Sequence, residues 1–459
     1  MRSSPEALSP RDIMGGGMCI GCGSCVAALQ PSRAAMTFDR YGQYKPQGAF
    51  TSKRSTRFAQ LCPFSPSARN EDDISAERLP ASTNSDNRLG RFEAAYVGAV
   101  VEPDFRSNGS SGGMVSWVAA ELLRRGLVDG IAHAKPSGEG GFFRYSISRS
   151  LDELHAGAKS RYYPVELSEV LDQIRATPGR YAVVGVPCFI KAVHLLREQD
   201  ELFRTRIAFT LGLFCGHMKS ARLVESFAWQ TETTIDAVSR PEYRLKGPER
   251  PANWYTAQLT LNNGEVRQKD WFYLADGDWG AGFFQNSACN WCDDVLAETA
   301  DISFGDAWVE PYSSDWRGTN VAVVRSPLML EMIEAGIAEG RLDLKAVDAD
   351  YIANTQAAGL RQRREGLAYR LTWQKNGLRP RKRVAPSADL PFPRKLIYRL
   401  RYDISAWSHR LFWLSRQWKQ PQLYLRWARA SLQLYQGLSY GRGRPGVWAR
   451  KLGLTKRND

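Results

Sequence analysis

Tyr181-Ala182-Val183-Val184-Gly185-Val186-Pro187-Cys188 and, after a helical interval, Ile207-Ala208-Phe209-Thr210-Leu211-Gly212-Leu213-Phe214-Cys215 decide the fold. Each is a short apolar run without polar alternation, the pattern of a buried strand, and each delivers a cysteine at its C-terminal end. Between them the helix Ile190 to Gln199 is predicted, so strand, helix and strand follow in the order of an α/β unit. Open α/β sheets place their sites at the carboxyl ends of such strands, where Cys188 and Cys215 are expected.

A later stretch supplies two more thiols. Cys289-Asn290-Trp291-Cys292-Asp293-Asp294 is a two-cysteine chelate, and Asp301-Ile302-Ser303-Phe304-Gly305-Asp306-Ala307-Trp308 follows it as a compact acidic strand. With Cys188 and Cys215 these make four thiols, the number that closes a metal site. A thiol that merely packs in a core would explain Cys188 or Cys215 alone, but not all four together. Asp301 and Asp306 flank a turn and read as caps or exposed loop residues before they read as substrate groups.

The N-terminal run Cys19-Ile20-Gly21-Cys22-Gly23-Ser24-Cys25 is a C-x2-C-x2-C loop. Its glycines let successive sulfurs point inward and aim backbone N–H groups at an anionic cluster, which suits a cubane iron–sulfur centre. A ferredoxin run would continue with cysteine and proline where Leu29 and Gln30 stand, so Cys62, followed by Pro63, is the candidate fourth ligand. Met36 to Pro46 reads as a hairpin beside it. The polar stretch Ser65 to Asn87 reads as a linker.

The second domain opens on the strand Ala94 to Val101 and the loop Arg106-Ser107-Asn108-Gly109-Ser110-Ser111-Gly112-Gly113, which leads into a helix from Met114. Free N–H groups and the positive dipole end there suit a phosphate or a flavin edge, although such loops are more often plain helix caps. A strand, Val128 to Ala134, follows. Lys159-Ser160-Arg161-Tyr162-Tyr163 opens another β-α-β passage through a helix at Leu167 to Ala176. Tyr243 to Trp279 alternates as an antiparallel insertion with an Asn262-Asn263-Gly264 turn, and the helix Pro327 to Glu339 closes the domain. His133, His155, His194 and His217 have no metal-ligand spacing among themselves and read as ordinary residues, unless His217 supports Cys215 from behind.

Length and charge frame these motifs. The 459 residues, 43% of them hydrophobic, suffice for two or three domains. No apolar run is long enough to span a membrane and the start, Met1 to Met18, lacks the order of a signal peptide, so a cytoplasmic protein is expected. In that reducing compartment eight cysteines point to metal ligands rather than disulfides. The net charge of +14 is concentrated: from Arg379 onward 19 Lys and Arg face three Asp and Glu, leaving the body at −2. This tail opens on Arg381-Lys382-Arg383. Beyond Pro393, Ile397, Leu400, Ile404, Trp407, Leu411, Leu414 and Trp418 recur at helical spacing among arginines, with a break at Pro421. Such a basic amphipathic helix suits either an anionic membrane surface, peripheral at its inner face, or packing on the body or another subunit. Nucleic acid is the weaker candidate, since no recognised binding module accompanies the charge.

The ordered set Cys19 to Cys25, Ser111 to Gly113, Lys159 to Tyr162, Gly185 to Cys188, Phe214 to Gly216, Cys289 to Cys292 and Ala300 to Trp308 resembles the beta-subunit family of coenzyme F-420 hydrogenase/dehydrogenase, over roughly residues 15 to 345. That family includes flavin and iron–sulfur oxidoreductases, among them reductases of chlorophyll precursors. The resemblance implies FAD, one or two 4Fe-4S clusters, a ferredoxin-type or other redox partner and a small-molecule substrate. It departs at Phe189, where many members have Gln, and at Val186, where they have Thr, which leaves F-420, NAD(P)H and ferredoxin all open as electron carriers. On this reading Cys188, Cys215, Cys289 and Cys292 hold one cluster and Cys19, Cys22, Cys25 and Cys62 the other. Ser111, Gly112, Gly113, Lys159, Ser160 and Tyr162 fall to the flavin, with Lys159 placed for a phosphate or the reduced ring's charge.

The expected architecture is α/β (α+β): a ferredoxin-like segment at 1–68, a linker at 69–90, a mixed-sheet catalytic domain at 91–345, a connector at 346–378 and basic helices at 379–459. The competing reading is a zinc-stapled binding protein with an anion-binding tail.

Overall fold

The computed structural model describes residues 6–30, 34–138, 141–373 and 378–454; the ends of the expected N-terminal segment and tail, and 374–377 of the connector, lie outside these. Its centre is a mixed eight-stranded sheet, in the order Leu342–Ala346, Ala94–Val100, Asn320–Val324, Ile302–Asp306, Ile207–Leu213, Tyr181–Gly185, Gly130–Pro136 and Phe143–Ser148. The four strands from Ile302–Asp306 to Gly130–Pro136 run parallel, and antiparallel strands flank them on both sides. Their side chains explain this. All five residues of Tyr181–Gly185 are buried, as befits a strand covered on both faces.

On one face Val184, Leu211, Phe304 and Val324 pack under the helices Met114–Arg124 and Pro327–Ala338. On the other, Tyr181, Val183 and Ile207 pack under the helices Ser168–Ala176 and Pro187–Gln199. The N-terminal segment shares this second core, since Leu8, Ile13, Met18, Phe58 and Leu61 belong to it. The expected hairpin is present as Ala35–Phe38 paired with Tyr44–Gln47. The antiparallel insertion is a three-stranded sheet, Val238–Glu242, Thr256–Leu261 and Val266–Asp270.

One expectation needs correction. The polar stretch read as a linker folds: Asn70 caps the helix Glu71–Arg78 through a capping box with Asp73, and Ile74 of that helix is buried. Asn, Asp and Ser are favoured at helix starts as well as in linkers, and here the cap is what they serve. The tail is helical, as Phe392–Gln417, Pro421–Tyr440 and Gly443–Lys451, and at the expected break Pro421 opens the second helix. Part of its apolar surface is turned onto the body. Ile404, Phe412, Tyr424, Leu425 and Tyr435 share a core with Leu274, Phe283 and Phe284 of the body.

Candidate active site

Register brings the first two thiols together. Gly185 pairs with Gly212 across the two central parallel strands, so Cys188 and Cys215, each three residues further on, leave the sheet at the same level. Cys188 lies in the first turn of the helix Pro187–Gln199, which begins three residues earlier than the sequence suggests because Pro187 takes the N-terminal position that needs no N–H. The Cys215 N–H donates to the carbonyl of Val295 at 2.9 Å, and the Met218 N–H reaches the Cys289 sulfur at 3.3 Å. These two bonds lay the loop after Cys215 along the 3-10 turn Ser287–Trp291 that carries Cys289. The thiols of Cys188, Cys215, Cys289 and Cys292 thereby fall within electrostatic reach of one another. Burial first, and neighbouring thiols next, raise the pKa of Cys188 well above that of a free thiol.

Cys19, Cys22, Cys25 and Cys62 line one small cavity of about 30 Å³. Gly21 and Gly23 both hold φ of +80°, and a side chain on Gly21 would meet the Tyr44 carbonyl at 2.5 Å, so the C-x2-C-x2-C loop needs glycine there. The Lys45 ammonium donates to the Cys19 carbonyl at 2.6 Å. Burial pushes the Cys22 thiol up to about 11. Cys22 also bears on Cys188, which makes the two groups neighbours. All eight thiols are free.

Beside the second group opens a cavity of about 1020 Å³, with Cys215 in its wall. Ser111, Gly113, Lys159, Ser160 and Tyr162, the residues that the resemblance gives to the flavin, line it. Gly112 does not line it. A side chain there would meet the Asn320 N–H at 2.8 Å, so this glycine serves close packing, while Gly113, at φ +87°, lets the chain turn into the helix against Phe105. The Asn320 side chain also accepts from the Met114 N–H at 3.1 Å, and the Ser111 hydroxyl donates to the Thr319 carbonyl at 3.0 Å. Lys159 donates to Glu242 at 2.7 Å, so its charge is already matched in the wall.

Aromatic rings form much of the lining. Tyr162 lies 4.9 Å from Trp279 and 5.6 Å from Trp271. His217 stacks on Trp279 at 4.4 Å, and burial pulls its pKa well below the ordinary range. Among the described residues its Nε2 and the Trp271 Nε1 are buried polar atoms without a hydrogen-bond partner, as expected of groups that meet a ligand. His217 is therefore part of the wall behind Cys215. Asp301 and Asp306 are not exposed caps. Asp301 accepts from the Thr210 N–H and hydroxyl at 2.7 Å and pairs with Arg78 at 2.8 Å, whereas Asp306 lines the cavity and pairs with Arg244 at 3.1 Å.

Several residues of this site gave no sequence signal. Lys219, on the same loop as His217, lies 4.8 Å over the Trp279 ring, and burial lowers its pKa to about 7. Arg363 is buried and donates to the carbonyls of Cys289 and Gly216, both at 2.6 Å. From the tail, Arg401, Gln436, Tyr440 and Arg442 enter the cavity wall.

Two sequence profiles match this arrangement, the N-terminal and the C-terminal parts of the coenzyme F420 hydrogenase/dehydrogenase beta subunit. The N-terminal profile matches residues 95–172 and the C-terminal one residues 179–350, together more than half the chain. The chain belongs to this family. As a member of the coenzyme F420 hydrogenase/dehydrogenase beta subunit family it is an oxidoreductase. The family matches span the central sheet and the four thiols at its edge; Cys19 to Cys62 and the tail helices lie outside them. A chain of the F420-reducing [NiFe] hydrogenase complex from Methanosarcina barkeri shares the fold, with a TM-score of 0.50 and 18% identity over 65% of this chain and 99% of that one. No curated protein matches the chain significantly.

Proposed function

We propose that this protein passes electrons between one-electron carriers and a two-electron donor or acceptor, using FAD in the large cavity and 4Fe-4S clusters on the two groups of thiols. The observation that carries this reading is adjacency: Cys215 belongs both to the cavity wall and to the sheet-edge thiols, and Cys188 of that group neighbours Cys22 of the other. Bound flavin exchanges electrons singly or in pairs, whereas a cluster passes one, so the two together join hydride chemistry to a one-electron carrier.

The residues suit these groups. Burial raises the sheet-edge thiols, which would keep them protonated on their own, and a bound metal's charge would draw them into the thiolate form. Arg363 and Lys382 set positive charge beside them, which favours an anionic centre. Zinc would draw three or four ligands onto one ion, with each sulfur about 2.3 Å from the metal. Among the described residues no three or more His, Cys, Asp or Glu side chains stand that way. A cubane takes one thiolate at each of four separate iron corners and needs a wider spread. In the cavity, Tyr162, Trp271 and Trp279 give a planar ring its stacking surface, His217 Nε2 and Trp271 Nε1 supply polar contacts, and Ser111, Gly113 and Ser160 border it. Arg401, Gln436 and Tyr440 of the tail helices complete part of its wall. The physiological partner on this reading is a ferredoxin-type or other redox protein, and the compartment is the cytoplasm.

Purification without oxygen tests the assignment through iron, sulfide and flavin counts. We expect a brown protein with bound flavin, in which Cys62→Ala and Cys215→Ala each remove one cluster's iron and leave the other's. Colourless protein carrying zinc, or iron that survives both substitutions, overturns it.

A further inference from the structure

We propose that the outward face of the three C-terminal helices docks this protein on an anionic lipid bilayer. The inward apolar residues of these helices are already buried against the body, so amphipathicity alone is accounted for. What remains outside is unlike an ordinary solvated face. On the helix Phe392–Gln417 and its cap, Phe392 is 66% exposed, Trp407 46% and Trp418 63%. At 3.6 residues per turn these three fall within about 80° of one another, and Arg399 and Arg410 share or border that stripe.

The next two helices repeat the composition. Leu423 and Leu434 are exposed among Arg426 and Arg429, and Trp448, 66% exposed, and Leu452 among Arg444, Arg450 and Lys451. Charge and ring are held together locally. The Arg410 guanidinium lies 5.2 Å over the Trp407 ring and the Lys451 ammonium 5.5 Å over that of Trp448. Between Pro391 and Leu454 the only acidic residue is Asp403, and it lies 3.9 Å from Arg399.

Charge and apolarity together select the occupant. A second copy of this chain would bring the same positive face against itself, which a two-fold interface cannot relieve. A nucleic acid would satisfy the arginines and offer nothing to Leu423, Leu434 and Leu452. An anionic bilayer satisfies both, with cations at the phosphates and Trp and Leu at the headgroup boundary. No helix among the described residues is long and apolar enough to cross a membrane, so the helices lie on it.

Flotation of the full-length holoprotein with vesicles of phosphatidylcholine, alone or mixed with phosphatidylglycerol, tests this. We expect flotation with the mixed vesicles only, and release as salt rises. The variant Trp407→Ser, Trp418→Ser, Trp448→Ser should lose tenfold or more in vesicle partitioning while keeping its visible spectrum and melting temperature, because all three rings are exposed. Failure to float on anionic vesicles overturns the proposal. So does undiminished partitioning of the triple variant, or release from vesicles by equimolar duplex oligonucleotide, either of which would mark a surface for polyanions in general.

Discussion

Arg363 is buried where a cation is costly, and its surroundings say what holds it there. Burial would weaken its charge, but Cys292, Cys289, Cys215 and Cys188 outweigh this and hold its pKa above the ordinary value. Its fork also fixes the Cys289 and Gly216 carbonyls. Removing the cation should make an added electron on the cluster proposed for the sheet-edge thiols less favourable. Arg363→Met is therefore expected to lower that cluster's midpoint potential by on the order of 50 mV, close to the 59 mV of one factor of ten in a one-electron couple. Arg363→Lys should recover most of the shift. Anaerobic redox titration followed by electron paramagnetic resonance reads both, and equal potentials in all three proteins would leave Arg363 only a packing role. Its sequence context, Leu360-Arg361-Gln362-Arg363-Arg364, could not have singled it out. Arg361 lines the cavity and Arg364 pairs with Glu298 at 3.5 Å, so three similar residues have three tertiary fates. Cys19 to Cys25 and Cys289 to Cys292 stand out because close thiol spacing is rare and local; a buried arginine's partners come from elsewhere in the chain.

At the scale of elements, the N-terminal hairpin is tied to the first tail helix through one histidine. His409 Nδ1 donates to the Ser405 carbonyl at 2.8 Å and its Nε2 accepts from the Gln43 amide at 3.2 Å, an arrangement that requires the neutral ring. Burial lowers its pKa to about 4, against the opposing pull of the Ser405 carbonyl and with the help of Lys45, Lys219 and Arg222. Below pH 6.5 the unfolded chain takes up a proton at this site that the folded chain refuses. Stability from His409 is therefore constant above about pH 6.5 and falls as the pH drops toward 4, by about 2 kcal/mol at pH 5. Denaturant melts at pH 7 and pH 5 should show His409→Gln losing less on acidification than the parent by that amount. An identical acid loss in both would mean that His409 takes up its proton normally in the folded chain. The hairpin itself was legible from its alternating residues and turn. Its junction with a helix more than 360 positions later was not, because amphipathic spacing gives a helix's inner face without naming what it packs on.

For the whole molecule, the question is what joins the basic tail to a near-neutral body. Arg381-Lys382-Arg383 reads in sequence as the opening of a basic tail, yet the side chains of Lys382 and Arg383 are turned inside. Lys382 pairs at 3.2 Å with Asp293, which is fully buried between Cys292 and Asp294, and Arg383 pairs at 2.6 Å with Glu298. Part of the tail's excess charge is thus spent inside, against acids of the thiol-bearing loop, because counting charges along a chain says nothing of where they are neutralised. Removing the cations leaves Asp293 and Glu298 without their closest partners in a medium that solvates them poorly. Such a loss typically costs about 3–5 kcal/mol, whereas removing both signs together is often nearly neutral. Lys382→Met with Arg383→Met is accordingly expected to destabilise the holoprotein by about 3–5 kcal/mol in chemical denaturation. Adding Asp293→Asn and Glu298→Gln should restore at least half of that, with iron content recovering in parallel because Asp293 adjoins Cys292. A loss under about 1 kcal/mol in the double variant would show instead that the Phe283, Phe284, Phe412 and Tyr424 core alone holds the tail to the body.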